Sequence, residues 1–263
     1  MVTVLTPTYN RADLLPNLYG SLVVQSCGDF EWVIVDDGSA DDTAETVKRF
    51  SEEGKLKIRY FRQENSGVHI ALDNGYRYAA GELILAVADD DTLLPNALAL
   101  IGEKWAALGD RSRLAGISFR KIDLDAKRAI GRTLAEDGVE SDPVEIVYRY
   151  GIVGDKAEVL RADVLRQYPF PRLRGEKYFP VGYQFARIGE KYKIAYYNDV
   201  IYACRYLDTG LSRTLGKRMR KMPSGYRHYY AYMTGRKGVP FLYRVKFLLR
   251  TIQCFRYEAL RKA

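Results

Sequence analysis

The chain has 263 residues, 47% of them hydrophobic and 28% charged, and its net charge is +8. These values are typical of a globular protein with one large α/β domain or two small ones, and they exclude a disordered, collagen-like or coiled-coil chain. The longest apolar run, residues 83–88, is far shorter than the roughly 20 residues of a membrane-spanning helix.

The charge is distributed unevenly. Residues 1–110 contain 9 Lys+Arg and 18 Asp+Glu, a net charge of −9, whereas residues 111–263 contain 32 and 15, a net charge of +17. Residues 209–263 have 14 basic residues and a single acid, Glu258. This asymmetry indicates two surfaces with different partners. For the basic end, composition leaves open nucleic acid, an anionic membrane surface and a phosphorylated substrate.

Two features predict a cytoplasmic location. Cys27, Cys204 and Cys254 form no CxxC pair, which favours neither a disulfide framework nor a zinc site and fits a reducing compartment. Residues 1–10 lack the basic start of a signal peptide and are predicted to form a strand.

The first 110 residues alternate between β-branched and amphipathic segments. Strands are predicted over residues 2–6, 31–35, 57–61 and 83–88, and helices over 11–25, after Ser39 and over 68–80. Ser39 and Asp42 match a capping box for the second helix. The βαβαβαβ order predicts a parallel, doubly wound sheet with right-handed crossovers. Because ligands bind at the carboxyl ends of such strands, the polar loops after strands 1, 2 and 4 should meet at one cleft.

The pattern is weaker after residue 110. Strands are predicted over residues 114–119, 157–160 and 193–197, helices over 163–168 and 183–191, and a hairpin or loop over 120–142. Beyond residue 213 the chain is basic and aromatic, and we predict helices broken near Pro223, Gly235 and Pro240. This organisation suggests three parts: 1–110, 111–212 and a helical tail, 213–263.

Three adjacent carboxylates, Asp89, Asp90 and Asp91, follow the fourth strand. Like charges at one site are costly unless a cation or abundant water is present. Carboxylates suit Mg²⁺ or Mn²⁺, ions that usually also hold substrate phosphates. The alternative is a solvated acidic turn that caps the helix beginning near Pro95.

The loops after the first two strands carry further polar groups. Asp37, in the segment 36–39, suits an acceptor for a base or ribose, although turning the chain and capping the next helix is the simpler alternative. In the segment 6–11, Tyr9 could stack on a base and Arg11 could meet a phosphate. Neither a GxGxxG fingerprint nor a P-loop is present.

The order of three segments resembles the family 2 glycosyltransferases, which have the GT-A fold. These segments are PTYNR at 7–11, VDDGS at 35–39 and GELI at 81–84 before the Asp cluster, with Pro95 behind it. The resemblance is closest over residues 1–110. Segments 65–73 and 175–180 look like a bacterial subgroup that modifies surface polysaccharides.

The resemblance implies inverting transfer of a sugar from a nucleotide diphosphate donor, commonly a UDP-sugar, to a hydroxyl of a saccharide or lipid-linked acceptor. By similarity, the loop with Pro7, Thr8, Tyr9 and Arg11 would hold the nucleotide base together with Asp37, and Asp89 would lie near the ribose. Asp90 would reach Mn²⁺ or Mg²⁺, with Asp91 as an alternative ligand. The ion would offset charge on the leaving diphosphate.

Inverting displacement also needs a carboxylate that removes the acceptor proton. The family often places it in a Glu-Asp pair at a helix start equivalent to 176–183, but this chain has Val181 there. Glu176 is therefore the first candidate, with a surface glutamate in a turn as the alternative reading. Asp155 and Glu158 are weaker candidates. A second departure is Ala88, where many relatives have an aspartate.

Three other features have two readings each. His69 could touch the diphosphate, but a structural role fits a helical histidine as well. Residues 208–212 resemble a loop that closes over the donor, or form a plain surface turn. The tail interleaves basic and large apolar residues, which suits an interfacial helix on an anionic membrane leaflet, unless the apolar side packs on the catalytic domain.

The main prediction is thus a metal-assisted glycosyltransferase at the inner face of the cell membrane. A nucleotide-sugar-binding protein that has lost catalysis is the alternative that Val181 motivates. A basic nucleic-acid-binding protein is a third reading, and we expect no nucleic-acid partner because no recognised module accompanies the basic segment.

Overall fold

A computed structural model describes residues 1–205 and 215–262. The strands are β1 (Val2–Thr8), β2 (Phe30–Asp36), β3 (Ile58–Arg62), β4 (Leu83–Ala86), β5 (Thr92–Leu93), β6 (Leu114–Asp123), β7 (Arg128–Ala129), β8 (Val139–Ser141), β9 (Lys156–Arg161) and β10 (Lys193–Cys204). The helices are α1 (Leu15–Val23), α2 (Thr43–Glu52), α3 (Val68–Tyr78), α4 (Ala97–Ala107), α5 (Glu145–Tyr148), α6 (Ala162–Gln167), α7 (Gly182–Ile188), α8 (Leu215–Lys221), α9 (Pro223–Gly235) and α10 (Phe241–Lys262).

The strands of the described residues form one mixed sheet in the order β3-β2-β1-β4-β9-β6-β10-β5, with β7 beside β6 and β8 beside β10. β1 runs parallel to β2 and β4, and β2 runs parallel to β3, which confirms the parallel arrangement predicted for the first half. The chain order reverses between β1 and β4. Ligands bind at such a switch point, outside the carboxyl ends of the strands.

The second half adds antiparallel pairing to a mostly parallel sheet, most clearly at β9. This strand lies antiparallel to both of its neighbours, β4 and β6. The chain returns from β6 to β9 through β7, β8 and α5, so the return does not need the crossover helix that joins parallel strands. Because β9 hydrogen-bonds to β4 on one side and β6 on the other, the sheet continues through both halves.

Helices cover both faces of the sheet, as expected for a doubly wound fold. Alternate residues of β1 and β2 enter two separate apolar clusters, because side chains along a strand alternate between faces. Val4 and Trp32 pack with α1, α2 and α4, and Leu5 and Val33 pack with α3, α6 and α7. Both faces of β1 and β2 are thus buried, which is typical of parallel strands.

Residues 215–262, the described part of the tail, form three helices, with breaks at the predicted positions. Pro223 begins α9 and Pro240 directly precedes α10, where a missing backbone N–H costs nothing. Met219, Tyr226, Tyr230 and Cys254 form a cluster that joins the three helices. Within the described ranges, none of the helices has the length and apolar character needed to cross a bilayer.

Candidate active site

The carboxyl ends of β1, β2 and β4 open into one cleft of about 500 Å³. Its walls include all the side chains that were predicted for nucleotide and metal binding: Pro7, Thr8, Tyr9, Arg11, Asp37, Asp89, Asp90 and Asp91. The three loops converge because parallel strands bring their carboxyl ends to the same sheet edge. Tyr9 is 47% exposed, so its ring is accessible for stacking.

Arg11 holds two of the three adjacent carboxylates. Its Nη1 donates to Asp89 Oδ1 at 2.9 Å and to Asp90 Oδ2 at 2.8 Å. Asp89 is buried, and this burial raises the pKa of its carboxyl while the charge of Arg11 acts in the opposite direction. Arg11 therefore offsets the mutual repulsion of the two carboxylates.

The third carboxylate, Asp91, is held by a residue that sequence analysis missed. The Tyr202 hydroxyl in β10 donates to Asp91 Oδ2 at 2.7 Å and accepts from the Ala88 backbone N–H at 3.1 Å. Burial raises the pKa of Asp91 to about 6, against the effects of Tyr202 and Lys121. A tyrosine inside a buried apolar strand was the available signal, because its hydroxyl must find a partner.

Asp37 organises the neighbouring loop as well as lining the cleft. Its Oδ1 accepts from Gln63 Nε2 and from the Ser66 N–H, both at 2.7 Å. Its Oδ2 accepts from the Gly67 N–H at 2.8 Å. The carboxylate therefore fixes residues 63–67 against the end of β2.

Gly67 then links this loop to the second half of the chain. Its φ is +97°, a conformation that favours glycine. A Cβ atom at this position would lie 2.0 Å from the Lys177 carbonyl oxygen. The close approach of residues 67 and 177 shapes one side of the cleft, and both residues line it.

The loops after β1 and β2 are tied to each other, and the predicted capping box is wrong. The Asn10 N–H donates to Ser39 Oγ at 2.9 Å, and Asn10 Oδ1 accepts from the Ala40 N–H at 2.7 Å. α2 begins only at Thr43, and Asp42, which precedes it, makes no side-chain cap. Ser39 is therefore used to hold the cleft loops together and not to start the helix.

Glu176, the first candidate for the catalytic base, has a structural position. Its Oε1 accepts from the Ser224 N–H at 2.7 Å and its Oε2 from the Gly225 N–H at 2.8 Å, at the start of α9. Arg261 lies 3.6 Å from Oε1. The residue is 7% exposed and is absent from the cleft walls. This geometry argues against the prediction, because both oxygens are already engaged by the helix N-terminus.

The second half contributes other charged groups to the cleft. Asp155, directly before β9, lines it together with Lys121, Arg205 and Arg218. Glu158, three residues further along, is not part of its walls. Of the two weaker base candidates, the structure therefore brings Asp155 to the cleft and not Glu158. The segment predicted to close over the donor, residues 208–212, lies outside the described residues.

His69 is part of the core beneath the cleft. It is 1% exposed, and its ring packs beside those of Phe170 and Phe179, with centroids 6.0 and 6.2 Å away. Burial lowers its pKa to about 4. The structural alternative for His69 therefore agrees with its position.

The predicted metal ligands, Asp90 and Asp91, both line the cleft. Within residues 1–205 and 215–262, no group of three or more His, Cys, Asp and Glu side chains is arranged to hold an ion. Mg²⁺ and similar ions often bind one or two carboxylates and take their other ligands from substrate phosphates and water. Asp90 and Asp91 supply such a pair of hard oxygen donors at the cleft. The site fits an ion shared with a ligand better than one held by protein alone.

Known glycosyltransferase sequences resemble the first half of the chain. Residues 3–132 match the model of glycosyl transferase family 2. A PGL/p-HBAD biosynthesis glycosyltransferase of Mycobacterium tuberculosis is 35% identical over 108 residues, which are 39% of this chain and 42% of the relative. A GalNAc(5)-diNAcBac-PP-undecaprenol beta-1,3-glucosyltransferase of Campylobacter jejuni is 34% identical over 105 residues, 39% of this chain and 34% of the relative. The chain thus spans about two fifths of these curated relatives or less.

Solved structures resemble nearly the whole chain. S. aureus TarS 1–349 in complex with UDP-GlcNAc superimposes with a TM-score of 0.64 at 18% identity, over 96% of this chain and 72% of that one. The mannosyltransferase PcManGT from Pyrobaculum calidifontis, in complex with GDP-Man and Mn²⁺, gives a TM-score of 0.64 at 19% identity, over 98% and 74%. These similarities establish the GT-A fold.

Proposed function

Since this chain belongs to glycosyltransferase family 2, we propose that it transfers a sugar from a nucleotide diphosphate donor to a hydroxyl of a saccharide or lipid-linked acceptor. The observation that carries the proposal is the convergence of the β1, β2 and β4 loops on one cleft, with Arg11 bound to Asp89 and Asp90. The TarS complex with UDP-GlcNAc supports a UDP-sugar as the donor.

The nucleotide would bind at the switch point between β1 and β4. Tyr9 offers an exposed ring beside the loop that Asp37 fixes, so the base can stack there. Pro7 and Thr8 line the same cleft and would contact the base, and the carboxylate of Asp89 would accept from a ribose hydroxyl. Arg11 supplies positive charge for the diphosphate.

A divalent ion, Mn²⁺ or Mg²⁺, would be held by Asp90, with Asp91 as the second carboxylate. When bound, it supplies positive charge that stabilises the leaving diphosphate. The chain's own contribution is to position these oxygens. Tyr202 fixes Asp91 from β10, and Arg11 fixes Asp90 from the β1 loop.

For the base we propose Asp155. In an inverting displacement the acceptor oxygen attacks the anomeric carbon, the bond to the diphosphate breaks, and the acceptor proton moves to a carboxylate. Asp155 is exposed and lines the same cleft from the opposite half of the sheet. Glu176 lacks this position because it binds the start of α9.

The cellular location that we propose follows from the proposed acceptor, because a lipid-linked acceptor lies at a membrane. The similarity to the undecaprenol-linked glucosyltransferase of Campylobacter jejuni supports a lipid-linked acceptor. We place the enzyme in the cytoplasm, at the inner face of the cell membrane and without a nucleic-acid partner.

Donor binding tests this proposal most directly. Thermal unfolding should be measured with UDP-, GDP- and TDP-sugars, each with and without Mn²⁺. A ligand at 100 times its Kd raises the unfolding free energy by about 2.7 kcal/mol, so one donor should stand out. Asp90→Asn should remove the Mn²⁺-dependent part of the shift, and Asp110→Asn should not, because Asp110 precedes β6 at the opposite sheet edge.

The competing function is donor binding without transfer. Val181 at the start of α7 and the engaged carboxylate of Glu176 favour it, because neither position offers a base. Turnover of the bound donor in the presence of acceptor, measured as released nucleotide diphosphate, separates the two. Tight donor binding with no release on lipid-linked or saccharide acceptors would overturn the transferase proposal.

A further inference from the structure

α10 carries an unusual apolar surface. Eight of its large apolar side chains are between 40% and 79% exposed: Phe241, Leu242, Val245, Leu248, Leu249, Ile252, Phe255 and Leu260. Five of them follow one another at intervals of three or four residues: Phe241, Val245, Leu249, Ile252 and Phe255. In a helix with 3.6 residues per turn, this spacing places them along one side. We call this side the outer face of α10.

The opposite side of α10 is the one that packs on the protein. Phe247 and Cys254 lie in the cluster that joins the tail helices, and Cys254 is fully buried. Arg227 of α9 binds Glu258 at 2.8 Å, and Arg261 donates to the Lys221 carbonyl at 2.7 Å. The helix is therefore fixed by one side, and the orientation leaves the outer face uncovered by any described residue.

The charges around the outer face are basic. Between residues 241 and 262 the chain has six basic residues and one acid, Glu258, which is turned inward to Arg227. Lys246 and Arg256 are exposed beside the apolar side chains. Large exposed apolar patches mark interaction or membrane surfaces, and an apolar stripe with basic flanks is typical of interfacial helices.

We propose that the outer face of α10 docks on an anionic membrane leaflet, with its apolar side chains in the acyl boundary and Lys246 and Arg256 at the lipid headgroups. A second copy of the chain fits less well, because two outer faces in contact would bring basic flanks together. A nucleic acid would leave the apolar stripe unsatisfied. The docking surface is thus narrower than the tail as a whole, since α8 and α9 are held against the protein.

This surface lies on the same packed unit as the cleft. α8, whose Met219 contacts the α10 cluster, also contributes Arg218 to the cleft walls. Docking through α10 would therefore hold the cleft close to the lipid surface and present it to a lipid-linked acceptor. Only this last step rests on the proposed function; the docking itself does not.

Vesicle co-sedimentation of the full chain, without donor or acceptor, tests the docking. The probes are vesicles of phosphatidylcholine alone and of phosphatidylcholine with phosphatidylglycerol. The test variant is Leu249→Gln with Ile252→Gln, and the matched control is Val24→Gln with Val153→Gln, because Val24 and Val153 are 60% and 55% exposed but lie outside the tail.

The wild type and the control should bind anionic vesicles equally, and more tightly than neutral ones. The α10 variant should bind at least about tenfold more weakly, because two apolar side chains that enter the acyl boundary are lost. Its melting curve should be unchanged, because both side chains are exposed in the free protein. Equal binding of the two double variants, or no vesicle binding by the wild type, would overturn the inference. So would concentration-dependent dimerisation that only the α10 variant abolishes. Vesicle binding by a chain that shows no transfer would instead overturn the proposed function alone.

Discussion

The loops of the first half and the outer face of α10 depart from the usual distribution of residues in opposite ways. The loops bury carboxylates, with Asp37 and Asp89 both 5% exposed, whereas α10 exposes Leu242 at 79%. Buried charge and exposed apolar surface are both costly unless a partner compensates. In the loops the compensation is internal, from Arg11 and backbone N–H groups. On α10 no described residue supplies it, so we expect the first region to be a preorganised site and the second a docking surface.

The largest expected effect is on the rate of sugar transfer. It tests whether the cleft residues of the first half catalyse transfer without a base from the second half. Asp155→Asn should lower the transfer rate by about 10²- to 10⁴-fold, because a positioned general base contributes that much. Donor affinity by calorimetry should stay unchanged, since the donor contacts lie in the first half. Asp163→Asn is the matched control: Asp163 is exposed beyond the other end of β9. Wild-type turnover by Asp155→Asn would show that the base lies elsewhere.

The next effect concerns the contact between the two halves at Gly67. Gly67→Ala should lower the free energy of unfolding by about 2–4 kcal/mol, because it adds backbone strain and a clash with the Lys177 carbonyl. Gly54→Ala separates the two causes: Gly54 also has positive φ, at +65°, but open space around it. Chemical denaturation of both variants gives the comparison. Equal losses would mean that the close approach to Lys177 contributes nothing to stability.

Local sequence patterns predicted part of the fold and of the cleft, and contacts between distant residues decided the rest. β1, β2 and the breaks at Pro223 and Pro240 follow from local patterns, and so does the meeting of the three loops. The position of Glu176 does not, because its partners, the Ser224 and Gly225 N–H groups, are more than forty residues away. The same holds for Tyr202, which is 111 residues from Asp91. The antiparallel insertion of β9 depends on non-local strand pairing.

A smaller effect on stability is expected at Asp73, a buried carboxylate of α3. Asp73 Oδ2 accepts from the Phe170 N–H at 2.9 Å, but Oδ1 is buried with no hydrogen-bond partner among the described residues. Burial raises the pKa of Asp73 to about 6 from its usual 3.8. The ionised form is therefore disfavoured in the folded chain, and stability falls as pH rises from about 4 to about 6.

Asp73→Asn should consequently raise the free energy of unfolding by about 1–3 kcal/mol at pH 8 and change it little at pH 4. The nearby His69 titrates in the opposite sense, since its pKa is lowered to about 4 and stability falls as pH drops below about 6.5. Comparing the variant with the wild type at each pH cancels that contribution. A difference that does not change with pH would show that the ionisation of Asp73 is not the cause.

The smallest effect is expected on the outer face of α10, and it distinguishes this face from the packed side. Leu249→Gln should change the free energy of unfolding by less than about 0.5 kcal/mol, because the side chain is 62% exposed. Phe247→Ala, two residues earlier, should cost about 1–3 kcal/mol, because its ring packs on Tyr230 with centroids 5.8 Å apart. Denaturant unfolding of the two variants measures both values. A large loss of unfolding free energy in Leu249→Gln would mean that the outer face is covered within the protein itself. The contrast between cleft carboxylates that have internal partners and apolar side chains that have none would then no longer hold.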